Sequence, residues 1–485
     1  MKQIAFVLCS SLFVLSFASC TPKPPEQQFI DDAMRAVGGR AKIEAVKSIV
    51  LEGSGVNYNL GQDMKPEAAT QQFEITGYKR EIDLEQGRQR VEQTRTPKFA
   101  YFQGPQPQVQ IQVLDGDIAF NVAPNGNASR LAGLAERDRR IDYFHHPVTA
   151  LKAATAPITT IANVRNVGSV RKADFVFRDR QWTMTIDPSG LPLSISSKSY
   201  NANLGDVEIT TTFADYRDSN GLQLPAKITG KVDDFTTYEI QASKQSVDAA
   251  PGNMPAPPPV VNATSPPPPN VTAESIGKGV WFLAGGSHHS VLVEFADHLM
   301  LIEAPQSEAR TLAVIKKAKE TVPKKPLTEL VTTHHHFDHT AGMRAAIAEG
   351  LTVITQAGNK EWVDNMARRP HTIQQDFLAK NVSRLNVETV DAEREFKDQT
   401  MTVMLYHVAG NPHSDTMLMA YIPRDRVLVE VDAFSPGSQV NPYAANLLEN
   451  IQKRNLRVDK IVPLHGTIAP FAELVKVAGT KGTQD

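Results

Sequence analysis

"VTTHHHFDHTAG", residues 331–342, places four histidines and an aspartate in six consecutive positions of a chain that has thirteen histidines in 485 residues. The apolar run "LTELV" leads into it and reads as a buried strand; "AGMRAAIAEG" follows and reads as a helix. The cluster therefore lies on a loop leaving the C-terminal end of a strand, where α/β folds assemble their sites. His334 and His336 are two residues apart, so on an extended backbone their rings share one side. Asp338 and His339 stand at the turn into the helix. One short loop thus offers two imidazoles to one metal ion, and a carboxylate plus an imidazole to a second. His335 and Phe337 are expected to point away and pack.

A metal centre takes further ligands from distant loops. His413 in "HVAGNPHSDTM" follows the strand "MTVMLY", Asp432 ends the strand "RVLVEVD", and His465 in "KIVPLHG" lies between a strand and a glycine. All three stand at strand ends. "HHHFDH" fits the His-x-His-x-Asp-His signature, and with these later residues the stretch 274–470 resembles the metallo-β-lactamase superfamily. The resemblance implies an αββα sandwich with its site along one edge. It implies that His334, His336 and His413 hold a first metal, that Asp338, His339 and His465 hold a second, and that Asp432 bridges both. Two Zn(2+) ions would share a hydroxide, with iron or manganese as alternative metals. Asp338 is the expected catalytic residue, binding the second metal and orienting that hydroxide toward an ester, thioester, lactone or amide-type substrate.

Two departures from the family pattern bear on substrate class. The third strand, "HLMLIEA", ends in Glu303-Ala304 where the family usually has aspartate, and the loop around His413 reads "NPHSDT" rather than "GHTPG". The lactamase subclass with a cysteine ligand is excluded, because the only cysteines are Cys9 and Cys20. His288 and His289, on the turn of the first hairpin, either overhang the site or face solvent.

Upstream of this part, "DAAPGNMPAPPPVVNATSPPPPN", residues 248–270, favours polyproline II and reads as a semi-rigid spacer with nothing to bury. Before it, residues 29–247 form a β-rich domain. "QQFIDDAMRAVGG" predicts an opening helix and "DYFHHPVTALKAA" another. "VQIQVLDGDIAFNVA" predicts a hairpin about Asp115-Gly116. "FVFRDRQWTMTIDPSGLPLSISSKSY" predicts one turning at Pro188-Ser189-Gly190, and a further hairpin turns at Asn220-Gly221. Long alternating antiparallel strands predict a curved sheet with one buried face. The opening helix with its glycine pair, the hairpins and "GLQLPAKI" resemble the lipoprotein carrier and receptor proteins of the bacterial outer-membrane sorting system. That resemblance implies a half-barrel whose concavity holds an apolar ligand. His145 and His146, on the predicted helix, read as surface or packing residues.

Residues 1–19 read as a signal peptide, with Lys2 ahead of an apolar stretch from Ile4 to Phe17. Phe17-Ala18-Ser19-Cys20 resembles a bacterial lipobox. Cys20 would then be lipidated, residues 20–28 would be a tether, and the chain would sit in the bacterial cell envelope, anchored in the outer membrane on its periplasmic or outward face. Fifty-one basic residues against fifty-three acidic ones leave no basic footprint, which argues against nucleic acid as a partner. The expected architecture is α+β and multidomain, with the second domain spanning residues 271–475. The expected function is an envelope-anchored dinuclear zinc hydrolase acting on a small molecule. The alternative is a lipid- or lipoprotein-binding envelope protein whose metal domain is accessory or redox-active with iron.

Overall fold

Thirteen antiparallel strands form one sheet in the N-terminal part of the computed structural model, which describes residues 23–99, 107–263, 268–438 and 440–479. Six strands between Ser48 and Arg130 and seven between Thr160 and Val247 each run as a meander. The two sets join where Ser48–Tyr58 pairs with Phe235–Val247. The strand Ser48–Tyr58 shifts register beside Gly53 on both of its edges, the kind of irregularity that bends a sheet. Four helices, Pro25–Val37, Arg40–Ala45, Gly133–Phe144 and Pro147–Ala154, fill the concave face. Phe29, Met34, Val148 and Leu151 pack there against Ile49, Ile82, Phe175, Trp182 and Ile195. Arg80, buried on this face, donates to Gln89 Oε1 and to the carbonyl of Asp142, tying the helix Gly133–Phe144 to the sheet.

Four local expectations are corrected. Pro25–Gln28 belong to the first helix rather than to a tether, because proline is tolerated at the first helical position; residues 1–22, with the expected signal peptide and Cys20, lie outside the described residues. "DYFHHPVTALKAA" is not one helix. One helix ends at Phe144, and Pro147, which cannot donate a helical N–H, opens the next with His146 as its N-cap. The run 175–200 carries parts of three strands, not two, with an additional turn at Arg178, whose φ is 57°. The proline-rich connection does bury side chains: Met254 and Val260 pack against Val113 and Phe120.

The C-terminal part is an αββα sandwich. A seven-stranded sheet runs from Thr272–Gly277 to Val387–Val390, antiparallel at first and parallel after Leu299–Ile302. A six-stranded sheet runs from Glu393–Lys397 to Ala469–Pro470. Their inner faces meet through Val291, Val293, Ile302, Val331 and Ile354 on one side and Val403, Leu405, Ala420, Val429 and Val462 on the other. The helix Glu308–Thr321 with Met343–Ala348 covers the outside of the first sheet, and Ala444–Lys453 with Phe471–Gly479 covers the second. Among the described residues no helix is long and apolar enough to cross a membrane.

His145 is buried in the N-terminal domain between Thr211 Oγ1 at 3.0 Å and Ser197 Oγ at 2.9 Å. Burial lowers it to about 4, with Asp142 opposing and Arg80 adding to the shift. A histidine held below its unfolded value leaves the unfolded chain with more bound protons in between, so stability falls as pH drops from about 6.5 toward about 4. The shift corresponds to on the order of 3 kcal/mol. Denaturant unfolding across that window should show a shallower pH dependence for His145→Asn than for the unaltered chain; parallel curves would contradict it.

Candidate metal centre

The loops that leave the strands along one edge of the sandwich converge. Residues 332–339 follow Leu327–Val331, His413 lies before Leu418–Ile422, Asp432 follows Val427–Glu430, and His465 follows Lys460–Pro463. His334 and His336 share a side, as their spacing predicts, with ring centroids 4.4 Å apart, and His413 lies 4.5 Å from His336. Asp432 sits among these rings. Its Oδ2 is 3.4 Å from His334 Nε2, 3.1 Å from His413 Nε2 and 3.0 Å from His339 Nε2, while its Oδ1 is 3.1 Å from His465 Nε2. The seven residues singled out in the sequence are thus brought together, in two groups. One set of donor atoms, from His334, His336, His413 and Asp432, lies within a mutual 4.8 Å, and so does a set from His288, Asp338, His339 and His465.

The donor atoms suit cations. His336 Nδ1 is buried without a hydrogen bond, and His334 Nε2 and His413 Nε2 face Asp432 Oδ2 without forming one, an expensive arrangement for aimed imidazole nitrogens unless something else binds them. Their other ring nitrogens are spoken for where a partner is seen: His334 Nδ1 contacts Thr333 Oγ1 at 3.1 Å, and His336 Nε2 donates to the carbonyl of Asp63 at 2.9 Å. Burial and the neighbouring imidazoles hold His334 and His336 well below the usual histidine range, so both rings are neutral, the form that ligates metal. Burial also lowers His465 to about 4. Burial opposes charge on Asp338, but His339 and a hydrogen bond from His288 outweigh it and lower the carboxyl. His339 is the exception among the rings. Burial disfavours its charge, yet Asp432 and Asp338 raise it well above its ordinary value, which marks the place where positive charge is wanted.

Glu303 gives the departure in the third strand a structural role. It is fully buried, and its φ of 80° is rare for a residue with a side chain. Its Oε1 accepts from Thr333 N at 3.0 Å; its Oε2 accepts from Thr333 Oγ1 at 2.9 Å and faces His339 Nδ1 at 2.7 Å. The carboxylate thereby turns His339 Nε2 toward Asp432 and fixes the backbone at the start of the histidine loop. A carboxylate partner of this kind sets the tautomer and orientation of a ligating histidine.

His335 packs away from the cluster, with Nδ1 near Thr416 Oγ1 and its ring edge-on to Trp362. His288 turns into the site: its Nε2 lies 3.3 Å from Asp338 Oδ2 and its ring centroid 3.8 Å from that of His465. A histidine on a hairpin turn has no periodicity to betray its direction, and only the neighbouring "GGS" hinted at a turn here. His289 faces away, accepting from Gly285 N and lying against Phe282.

Residues 283–465 match the family model described as Metallo-beta-lactamase superfamily. The C-terminal part is a metallo-beta-lactamase superfamily domain. Solved structures similar to the chain include the metallo-beta-lactamase FIM-1 from Pseudomonas aeruginosa in its mono-zinc form, at 19% identity over 43% of this chain and 94% of that one, with a TM-score of 0.35. Metallo-beta-lactamases from Pontibacter korlensis and Hirschia baltica are similar at 19% and 16% identity, over 44% and 43% of this chain and 100% and 97% of theirs, each with a TM-score of 0.35. No curated protein matches the chain.

Glu303→Gln keeps the volume of this side chain in the metallo-beta-lactamase domain but removes the charge facing His339. It should weaken binding of the second cation about 10- to 100-fold while leaving the first near its starting affinity, as read by competition with a chromophoric chelator. Equal loss at both sites, or none, would count against the role given to Glu303.

Proposed function

We propose that the protein is a dinuclear, zinc-dependent hydrolase of ester, thioester, lactone or amide-type bonds. The observation that supports it is the meeting of two groups of four donor residues around Asp432, whose two carboxylate oxygens stand within 3.4 Å of nitrogens from His334, His339, His413 and His465. His334, His336 and His413 would hold the first ion, and Asp338, His339 and His465 the second, with Asp432 between them and His288 beside the second. Zinc held by these residues would supply Lewis acidity toward a scissile carbonyl and a water acidic enough to attack near neutral pH, with a pKa of about 7 for water on zinc. Asp338 then has a defined task. One of its oxygens accepts from Gln62 and the other faces His288 and His339, so the carboxylate is aimed at the second group, where it would help hold the ion and orient the attacking water. The buried walls, with His334, His336 and His339 almost without solvent exposure, strengthen these interactions by excluding water.

A second reading concerns the N-terminal domain. A cavity of about 380 Å³ lies among Leu84, Leu114, Tyr143, Phe144 and Phe177, with Arg140 and Arg180 in its lining. Glu85 and Asp117 line it too, and Arg180 pairs with Asp117 and Arg140 with Glu136, so the size and the apolar wall suit an apolar molecule of either polarity at its end. The cavity includes the turn after Gln72–Asp83, whereas the metal centre is met by the loop before that strand. Eleven steps of strand rise put the two about 35 Å apart, so the two sites are read as separate. Lipid anchoring through Cys20 in the bacterial envelope belongs to the same proposal and rests on the sequence of the first twenty residues.

The purified mature chain should retain two divalent cations. A chelator should abolish hydrolysis of generic thioester, lactone or β-lactam probes, and zinc should restore it. Asp338→Asn should lower kcat by about 100-fold or more. A chain that retains no cation and cleaves none of these probes would sink the hydrolase reading.

A further inference from the structure

The loop between Ser48–Tyr58 and Gln72–Asp83 belongs to the N-terminal domain but lies on the metal centre of the C-terminal one. Four consecutive residues make the contact. The carbonyl of Gly61 accepts from Phe337 N at 3.1 Å. Gln62 Nε2 donates to Asp338 Oδ1 at 2.7 Å. The carbonyl of Asp63 accepts from His336 Nε2 at 2.9 Å, and that of Met64 from Asp415 N at 2.6 Å. The fit is close. Gly61 has a φ of 82°, and a Cβ there would meet the Phe337 ring at 2.3 Å, so only glycine lets the loop lie this near. A second loop of the same domain reaches the other side of the histidine segment. Asn203 Nδ2 donates to Thr340 Oγ1 at 2.6 Å, and Thr340 Oγ1 donates to the carbonyl of His336 at 2.8 Å.

We infer that the N-terminal domain completes the metal centre, with Gln62 as the positioning residue for Asp338 and the Asp63 carbonyl as the group that orients His336. This rests on the hydrolase reading above. The chemistry is specific to each contact. The Asp63 carbonyl accepts only an N–H, so it holds the proton of His336 on Nε2 and leaves Nδ1, the buried nitrogen without a partner, free to ligate. The Gln62 amide occupies one oxygen of Asp338 and leaves the other, Oδ2, facing His339 and His288. The loop therefore touches one ligand of each group, and through Asp415 it also holds the segment that carries His413. The metallo-beta-lactamase domain does not hold its ligands in place alone; the upstream sheet supplies part of the framework that orients them.

The test uses the full mature chain, stripped of metal and titrated with cobalt(II), following ligand-field absorption together with chelator competition. These readouts report the two binding steps without any hydrolysis assay. The unaltered chain should take up two ions in two resolved steps. Gln62→Met, which keeps the size and removes the donor, and Gln62→Ala should both weaken the second step about 10-fold or more and alter its spectrum, with the first step unchanged. Gly61→Ala, which pushes the loop off Phe337, should weaken both steps. Thermal unfolding of each variant, compared with the unaltered chain, separates these effects from loss of fold. An unaltered chain that binds two ions, with a Gln62→Met chain that binds them identically, overturns this inference alone. An unaltered chain that binds no cation overturns the hydrolase reading and this inference together.

Discussion

The structure of the site depends on one buried carboxylate surrounded by imidazoles. Asp432 stands within 3.4 Å of nitrogens from four histidines that arrive from three different loops. Burial alone would push an aspartate toward its neutral form; His339, His465 and His413 reverse that and lower it well below its ordinary value. The backbone is bent to deliver it. Asp432 has a φ of 55°, a conformation that costs a residue with a side chain about 1–3 kcal/mol unless its surroundings enforce it. The enforcement comes from Glu430, whose Oε2 accepts from the amides of Ala433 and Phe434 and so closes the turn around Asp432. Burial raises Glu430 well above its ordinary value, and the charge on Asp432 adds to the effect. Of two carboxyls two residues apart, one is thus pushed toward its neutral form by burial while it closes the turn, and the other is held charged by the imidazoles around it, a difference produced by environment alone.

The parts of this arrangement that were legible in the sequence are those whose information is local. The period of two in His334-x-His336 placed both rings on one side, and the positions of His413, Asp432 and His465 at the ends of apolar runs put them along a common sheet edge. Glu303 was visible only as a departure from a pattern. Its function as the partner of His339 and Thr333 emerges once a strand end and a loop thirty residues later are seen side by side. His288 and His289 were equivalent on paper, and the turn between Val280–Ala284 and Ser290–Glu294 sends one into the site and the other against Phe282. In the N-terminal domain the hairpin turns at Gly116, Gly190 and Gly221 were readable from turn chemistry. The break at His145 and His146 was signalled by Pro147, but the helix-like apolar spacing on either side concealed it.

What no local rule could supply is the contact between Gln62 and Asp338, which are 276 residues apart. The loop that carries Gln62 is polar, lacks a motif and reads as an ordinary connection between strands. Its destination is fixed by the packing of two whole domains. The docking is polar and spread over several segments. Beyond the metal-centre loop, Asp206 accepts from Thr372 and Ile373, its own amide donates to the carbonyl of Pro370, and Arg369 reaches Asp233 and the carbonyl of Leu204. Tyr200 meets His371 at 3.0 Å in the same region.

An interface of this kind would be weak between separate chains, because polar groups give up water to form it and gain little net free energy. Covalent linkage changes that balance. Residues 248–263 are not a slack tether: Gly252 and Ala256 donate to Glu81 and Asp115, and Arg130 binds the carbonyls of Val261 and Ala263. The connection is thereby shortened and aimed before the second domain begins, which raises the effective concentration of one docking surface at the other. Hydrogen bonds that could not hold two molecules together can then hold two parts of one molecule in register. Register is what the metal centre needs, because a carbonyl or amide displaced by an ångström no longer selects the free nitrogen of His336 or the free oxygen of Asp338.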